Sequence, residues 1–314
     1  MNKTYRLIWS RAKRAWLVVA EIVKSHSGGA SRVIGSIAMI AAIPCCPLPA
    51  LALDPGVLPT GGQIAAGQGS IAQSGSAMAV TQNSQRMIAN WDSFNIGRDA
   101  SVAFQQPNAS AVALNRIQDQ NPSQIFGSLS ANGQVWLLNP AGIMFGSTAQ
   151  VDVGGLVASS LNISNENFLA GNNVFEKLGS AGTVTNQGQI RTANGGYVAF
   201  IAPKVINEGS ITAPNGTVAM AAGEKVSLDF TGDSLVTFTV DQGAIDALVE
   251  NSGLMKADGG LVMMTAKAAS ELTNAVVNNS GIIEAQTLEN KGGRILLISD
   301  MEHGETIVGG TLDA

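Results

Sequence analysis

The sequence predicts an all-β protein: a right-handed parallel β-helix, or β-solenoid, with N-terminal capping strands and an extra-helical hairpin. Three observations lead there. A short pattern recurs along the second half of the chain, apolar residues alternate within each repeat, and the composition suits tight turns. Of 314 residues 36 are glycine and only 13% are charged. Glycine supplies the backbone angles that closely spaced turns need.

The repeat is specific. Val184-Thr-Asn186-Gln-Gly188-Gln-Ile190 returns 21 residues later as Val205-Ile-Asn207-Glu-Gly209-Ser-Ile211. It returns again from Val249 to Met255 and from Val277 to Ile283, with Asn251 and Asn279 in the same place. A second element follows each copy: Asn194-Gly195-Gly196, Asn215-Gly216, Asp258-Gly259-Gly260 and Gly292-Gly293. Each coil thus reads as strand, turn, strand. A period near 20 residues signals stacked coils, each a rung ~4.8 Å tall joined by parallel hydrogen bonds. Val198 and Phe200, Val218 and Met220, Val262 and Met264, and Ile295 and Leu297 alternate along their strands, so they point to a shared core. Asn186, Asn207, Asn251 and Asn279 either stack as an amide ladder or serve as turn residues.

Two segments break the rhythm. Strands at 226–230 and 235–240 around Thr231-Gly232-Asp233 read as a hairpin. Residues 162–182 read as a polar surface excursion anchored by Phe168 and Phe175. Both are expected to project from the solenoid. Residues 62–105 alternate apolar and polar in short runs and precede the regular coils, and capping the open end is assigned to them. Thr311-Leu312-Asp313-Ala314 reads as the opening of a further coil.

The first 52 residues differ in kind. They hold seven basic residues and one acid, leaving eleven basic and twenty-two acidic residues in the body. An acidic body argues against a nucleic-acid partner, because phosphate binding needs a basic surface. Val33 to Ile43 form an apolar stretch, followed by prolines and then by Ala50-Leu51-Ala52, a small-x-small cleavage signature. Cleavage is expected between Ala52 and Leu53. Residues 1–25 precede the signal (26–52) as an additional basic unit carrying Trp9 and Trp16. Both cysteines, Cys45 and Cys46, fall in this leader, so the mature chain would have no thiol. Either a chain exported unfolded must avoid premature crosslinks, or a solenoid needs no staple. Beyond residue 52 no apolar run approaches the roughly 20 residues of a spanning helix, and the body is expected to be soluble.

Hidden chemistry finds little support in the residues. His303 is the one histidine of the mature chain, so a Ser/His/Asp triad would rest on a terminal turn, and His/Cys metal clusters are ruled out. Asp241 and Asp246, or Glu284 and Glu289, lack a basic partner arranged with them. The expectation is no enzyme and no cofactor, with a polysaccharide-active β-helix enzyme the remote alternative.

The most specific stretches are Ile88-Ala-Asn90-Trp91-Asp-Ser-Phe94-Asn-Ile96-Gly97, Ala111-Val-Ala-Leu114-Asn115-Arg116-Ile117, and Ile125 to Gly146 with its Asn132-Gly133-Gln134-Val135-Trp136 core. Together with the leader MNKTYRLIWSRAKRAWLVVAE, they resemble the N-terminal secretion domain of two-partner secretion exoproteins, the family of filamentous haemagglutinin and the high-molecular-weight adhesins. The resemblance covers essentially the whole chain, and residues 53–310 would form the domain. It implies passage through the general export machinery and recognition by an outer-membrane β-barrel transporter with periplasmic POTRA domains. The family's Asn-Pro-Asn-Gly-type secretion motif maps to Asn139-Pro140-Ala141-Gly142, with alanine in place of the second asparagine. Proline and glycine should preserve the turn while a side-chain hydrogen bond is lost. The Asn-Pro-Asn-Leu-type motif has its nearest counterpart at Gln106-Pro107-Asn108-Ala109. Either motif could act as a turn stabiliser or touch the transporter. The resemblance implies an adhesin-like surface protein with a host-cell or carbohydrate receptor, or alternatively a contact-dependent growth inhibition toxin.

Overall fold

The computed structural model describes residues 5–10, 15–20, 53–230, 235–270, 273–287 and 292–314. It separates into two units, Met1–Ala50 and Leu51–Ala314. In the first, Tyr5–Ser10 pairs antiparallel with Ala15–Ala20, Tyr5 opposite Ala20. The apolar leader stretch, Cys45, Cys46 and Ala52 lie outside the described residues.

The second unit is a stack of coils whose strands form three columns. The first column runs through Ala77–Gln82, Ser101–Gln105, Ser128–Ala131, the starts of Gln150–Ser159 and Gln189–Ala202, Ser210–Thr212, Leu254–Lys256, Ile282–Glu284 and Thr311–Asp313, all paired in parallel. The second runs through Arg86–Trp91, Val112–Ile117, Gln134–Leu138, the ends of the same two long strands, Thr217–Ala222, Leu261–Ala266 and Arg294–Ile298. The third runs from Ser123–Ile125 through Ile143–Phe145, Thr183–Asn186, Lys204–Asn207, Ala247–Asn251 and Ala275–Asn279 to Gly304–Val308. Coils one to eight thus begin at Ala77, Ser101, Ser128, Gln150, Gln189, Ser210, Leu254 and Ile282. The sheets are mostly parallel, and the repeated strand order is solenoid-like.

Coils two to eight therefore have three strands each, where the repeat suggested two; coil one reaches the third column only through the isolated Ile96–Ile125 bridge. The run Val184 to Ile190, read as one strand, is two strands meeting at a corner: Asn186 closes the third column and Gln189 opens the first. The corner carries a column of glycines. A Cβ on Gly209 would strike the Gly188 carbonyl, and the same clash recurs for Gly253 on Gly209 and Gly281 on Gly253. At rung spacing no side chain fits between successive backbones here, which is why Asn-x-Gly recurs.

Alternate side chains from all three columns fill one core. Val198, Phe200, Val218, Met220, Val262 and Met264 are buried in it, and Ile295 and Leu297 pack against it. The coils begin earlier than expected. Ala77–Gln82 and Arg86–Trp91 already pair in parallel with the next coil; only Gln63–Ala66 and Gly69–Ser74 run antiparallel, onto Arg86–Trp91 and Ala77–Gln82 respectively.

The two interruptions do not project. Both leave the stack between the second and third columns, in coils four and six, and fold back over the outer side of the second column. The first holds the helix Asn165–Ala170, capped by Ser164, whose Oγ accepts from the Asn167 N–H at 3.1 Å. It continues into Val174–Glu176. The second is an antiparallel pair, Lys225–Phe230 with Val236–Gln242; its tip, Thr231–Ser234, lies outside the described residues. Val174–Glu176 adds antiparallel to Lys225–Phe230, making one three-stranded layer. Beneath it lies a second apolar core built from the outward residues Ile88, Leu114, Trp136, Val157, Ala219 and Met263, joined by Phe168, Phe175, Val226 and Phe238. At Thr217–Ala222 and Leu261–Ala266 the second column is thus buried on both sides, while its last strand, Arg294–Ile298, is left with exposed residues.

Candidate functional site

Asn139 follows the strand Gln134–Leu138, and Ile143 opens Ile143–Phe145, so residues 139–142 are the corner between second and third columns in coil three. The Asn139 carbonyl accepts from the Gly142 N–H at 2.9 Å, which closes the turn. Its side chain is fully buried. Oδ1 accepts from the Ala141 N–H at 2.9 Å, while Nδ2 donates to the Asn121 carbonyl at 3.1 Å and to Ser123 Oγ at 3.0 Å. Proline presets the turn, and Gly142 takes φ of 113°, open to glycine but costly for other residues. The Pro140 carbonyl accepts from the Gly182 N–H at 2.8 Å, and the Asn139 N–H donates to the Ser159 carbonyl at 3.0 Å. One turn therefore ties coil three to coil two below and coil four above. The side-chain bond inside it comes from Asn139, while Ala141 sits half-buried with no polar duty.

Gln106 to Ala109 occupy a different corner, between first and second columns in coil two. Gln106 is buried, but Pro107, Asn108 and Ala109 are exposed. The Gln106 N–H donates to Asn132 Oδ1 at 2.7 Å, and Asn132 Nδ2 returns a bond to the Gln106 carbonyl at 2.7 Å. Gln106 Nε2 donates to Gln82 Oε1 at 2.9 Å, one coil down. Asn108 Oδ1 accepts from the Ser110 N–H at 3.0 Å, and Asn108 Nδ2 donates to Gln85 at 3.0 Å. The two motif segments lie on different corners of different coils and do not form one site.

Asn186, Asn207, Asn251 and Asn279 stand in one column at the third-to-first corner, all with zero exposure. In the lower three, Nδ2 donates to the Oδ1 above it, at 2.8 Å from Asn186 to Asn207, 2.7 Å from Asn207 to Asn251, and 2.7 Å from Asn251 to Asn279. The Asn186 Oδ1 also takes the Gly188 N–H at 3.1 Å. Below, the equivalent position is Phe145; above, it is Val308. Leu53, the residue expected to become the N-terminus, lines a shallow groove with Pro55, Arg98, Gln124 and Phe126.

Sequence reasoning missed the polar groups of the outer layer. Trp136 Nε1 donates to Tyr197 Oη at 2.8 Å, and that hydroxyl donates to Gln134 Oε1 at 2.7 Å. Arg86 donates to the Phe168 carbonyl and lies over the Phe168 ring. Arg116 donates to Asn162 Oδ1, Asn165 Oδ1 and the Ile163 carbonyl. Burial pushes the Tyr197 phenol above its ordinary value near 10. Tyrosinate then forms first in the unfolded chain, so the stability Tyr197 confers is complete below pH 10 and is lost as pH climbs above it. We expect the stability difference between wild type and Tyr197→Phe to be about 1–2 kcal/mol at pH 8 and to shrink above about pH 10; thermal melts from pH 8 to 11 read it.

Among the described residues, no group of three His, Cys, Asp or Glu side chains is placed to hold a metal ion, and no helix is long and apolar enough to cross a membrane.

Comparison with known proteins places this architecture. The profile of the TPS secretion domain matches residues 56–312, and that of the extended signal peptide of type V secretion systems matches residues 1–49. The chain belongs to the TPS secretion-domain family. A heme/hemopexin-binding protein of Haemophilus influenzae strain Rd is 33% identical over 250 residues, covering 77% of this chain and 27% of the relative. A second Haemophilus influenzae protein of that name is 30% identical over 247 residues, covering 71% of the chain and 26% of the relative. The chain therefore spans about a quarter of the length of these relatives. The crystal structure of the HMW1 secretion domain from Haemophilus influenzae superposes with a TM-score of 0.67 at 28% identity, covering 81% of this chain and 73% of that one.

As a TPS secretion domain behind an extended signal peptide, this chain directs a surface protein through the two-partner route. The protein crosses the periplasm and reaches the cell surface through an outer-membrane transporter.

Proposed function

We propose that residues 53–310 are the address read by a POTRA-containing β-barrel, after residues 1–52 have carried the chain through the general export machinery and been removed. The observation that carries this reading is the adjacency of the two family matches, 1–49 and 56–312, with the Ala52–Leu53 bond in the gap between them. Residues 1–25 are the extension, 26–52 the Sec-type signal, and 311–314 open a further coil. The stack is a right-handed parallel β-helix whose N-terminal edge is capped by Gln63–Ala66 and Gly69–Ser74, the two strands that run antiparallel there. Before folding, the amphipathic strands of this domain pair with a sheet edge of the transporter's periplasmic domains. Outside, stacking of coils disfavours return and draws the chain outward without ATP.

The domain is not an enzyme. Its part is to place a binding protein on the surface, an adhesin-like exoprotein with a receptor of its own. The names of the two Haemophilus influenzae relatives, both heme/hemopexin-binding proteins, favour a binding cargo over a toxin. The turn at Asn139-Pro140-Ala141-Gly142 serves secretion by holding three coils in register; that at Gln106-Pro107-Asn108-Ala109 holds Gln106 on Gln82 and leaves Asn108 at the surface. N-terminal sequencing of exported material tests the leader: the mature chain should begin at Leu53, and a retained Met1 would overturn the export reading.

A further inference from the structure

In a solenoid each coil touches only its neighbours, so stability passes from rung to rung. The outer layer of this domain breaks that rule. Arg86 and Arg116, in coils one and two, hold a segment that the chain delivers with coil four: Arg86 reaches the Phe168 carbonyl, 82 residues away, and Arg116 reaches Asn162, Ile163 and Asn165. Among the described residues neither arginine is ion-paired to a carboxylate; burial lowers the pKa of both, and the nearby Glu166 only partly offsets this at Arg116. Half-buried guanidinium groups need their donors satisfied, and among the described residues the hydrogen-bond partners of both all lie within residues 162–168. The helix Asn165–Ala170 has no basic residue in its last turn, and Arg86 supplies that charge from another coil.

The second insert fastens to the first. Phe175 lies opposite Val226 in an antiparallel pair, with Lys177 bonded to Glu224 at 2.6 Å and Lys225 to Glu176 at 2.6 Å. The hairpin is in turn anchored to later coils: the Val236 N–H donates to Thr217 Oγ1 at 3.0 Å, and Lys267 Nζ donates to the Val240 and Asp241 carbonyls at 3.2 and 3.0 Å. A continuous strap thus runs from coil one to the end of the coil-seven strand Leu261–Ala266.

We propose that these two inserts form a latch that couples coils one to seven into a single cooperative unit, closing only when the coil-six hairpin has joined. Until then the outward stripe of Ile88, Leu114 and Trp136 is covered by the first insert alone, and the first coils are only locally stable. The timing of closure during emergence rests on the secretion reading; the coupling does not, and it is tested on the folded protein alone.

Hydrogen exchange on the full exported chain is the test. In the wild type, amides of Arg86–Trp91 and Val112–Ile117 should exchange as slowly as those of Thr217–Ala222. In R86A/R116A the first two strands should exchange about tenfold faster or more, with Thr217–Ala222 unchanged. A wild-type gradient that rises from the first coil inward, unaltered in the variant, would overturn the latch. Should R86A/R116A not fold, Lys177→Glu and Glu224→Lys should each speed exchange in coils one to three, and the double swap should restore it. Absence of restoration would equally overturn the coupling.

Discussion

Replacing Asn139 with alanine should destabilise the domain by about 2–4 kcal/mol and lower the exported amount severalfold. The side chain is fully buried and makes three hydrogen bonds: one inside its own turn, to the Ala141 N–H, and two to coil two, at the Asn121 carbonyl and Ser123 Oγ. Each such bond contributes about 1 kcal/mol, and stranding its buried partner costs more. Alanine at this position also leaves Pro140 and Gly142 to hold a turn that coil four is bonded to from above. Ala141→Asn, by contrast, falls on a half-buried methyl with no polar partner and should change stability by no more than about 0.5 kcal/mol. Urea unfolding of the purified domain and quantitation of protein in the medium read both variants.

Asn251→Leu should cost about 3–5 kcal/mol, more than any change at the ends of its column. Asn251 accepts from Asn207 at 2.7 Å and donates to Asn279 at 2.7 Å, so leucine strands a donor below and an acceptor above, both at zero exposure. Asn279→Ala breaks one rung only, because Val308 stands above it, and should cost about half as much. Comparison of the two variants by urea unfolding separates a cooperative ladder from four independent turn residues, which would give equal losses.

Much of this was legible in the sequence because coils four to eight repeat with little variation. Asn186, Asn207, Asn251 and Asn279 could be aligned by eye, and in the structure they occupy one column. The inward residues Val198, Phe200, Val218 and Met220 followed from simple alternation. Alternation also hid something. Thr217–Ala222 and Leu261–Ala266 are buried at every position, and such unbroken small and apolar runs mean a strand covered on both sides. That signal was present, and it foretold a layer outside the solenoid. The first coils were less legible: Gln82 and Gln106 stack on each other, but 24 residues apart and without the Asn-x-Gly corner that marks later coils. No local pattern could have joined Arg86 to Phe168, since their contact depends on where two chain segments meet in space. The hairpin's existence was read correctly, while its direction was not, because Val226, Leu228, Val236 and Phe238 find an apolar surface to lie on.

If this chain is an address for a dedicated transporter, its export must depend on that transporter. That dependence is tested most directly by fusing residues 1–314 to a cysteine-free reporter in a Gram-negative host, with and without the partner β-barrel. Reporter should reach the medium or the cell surface only when the barrel is present, and should be degraded in the periplasm when it is not. Equal export in its absence would contradict that dependence.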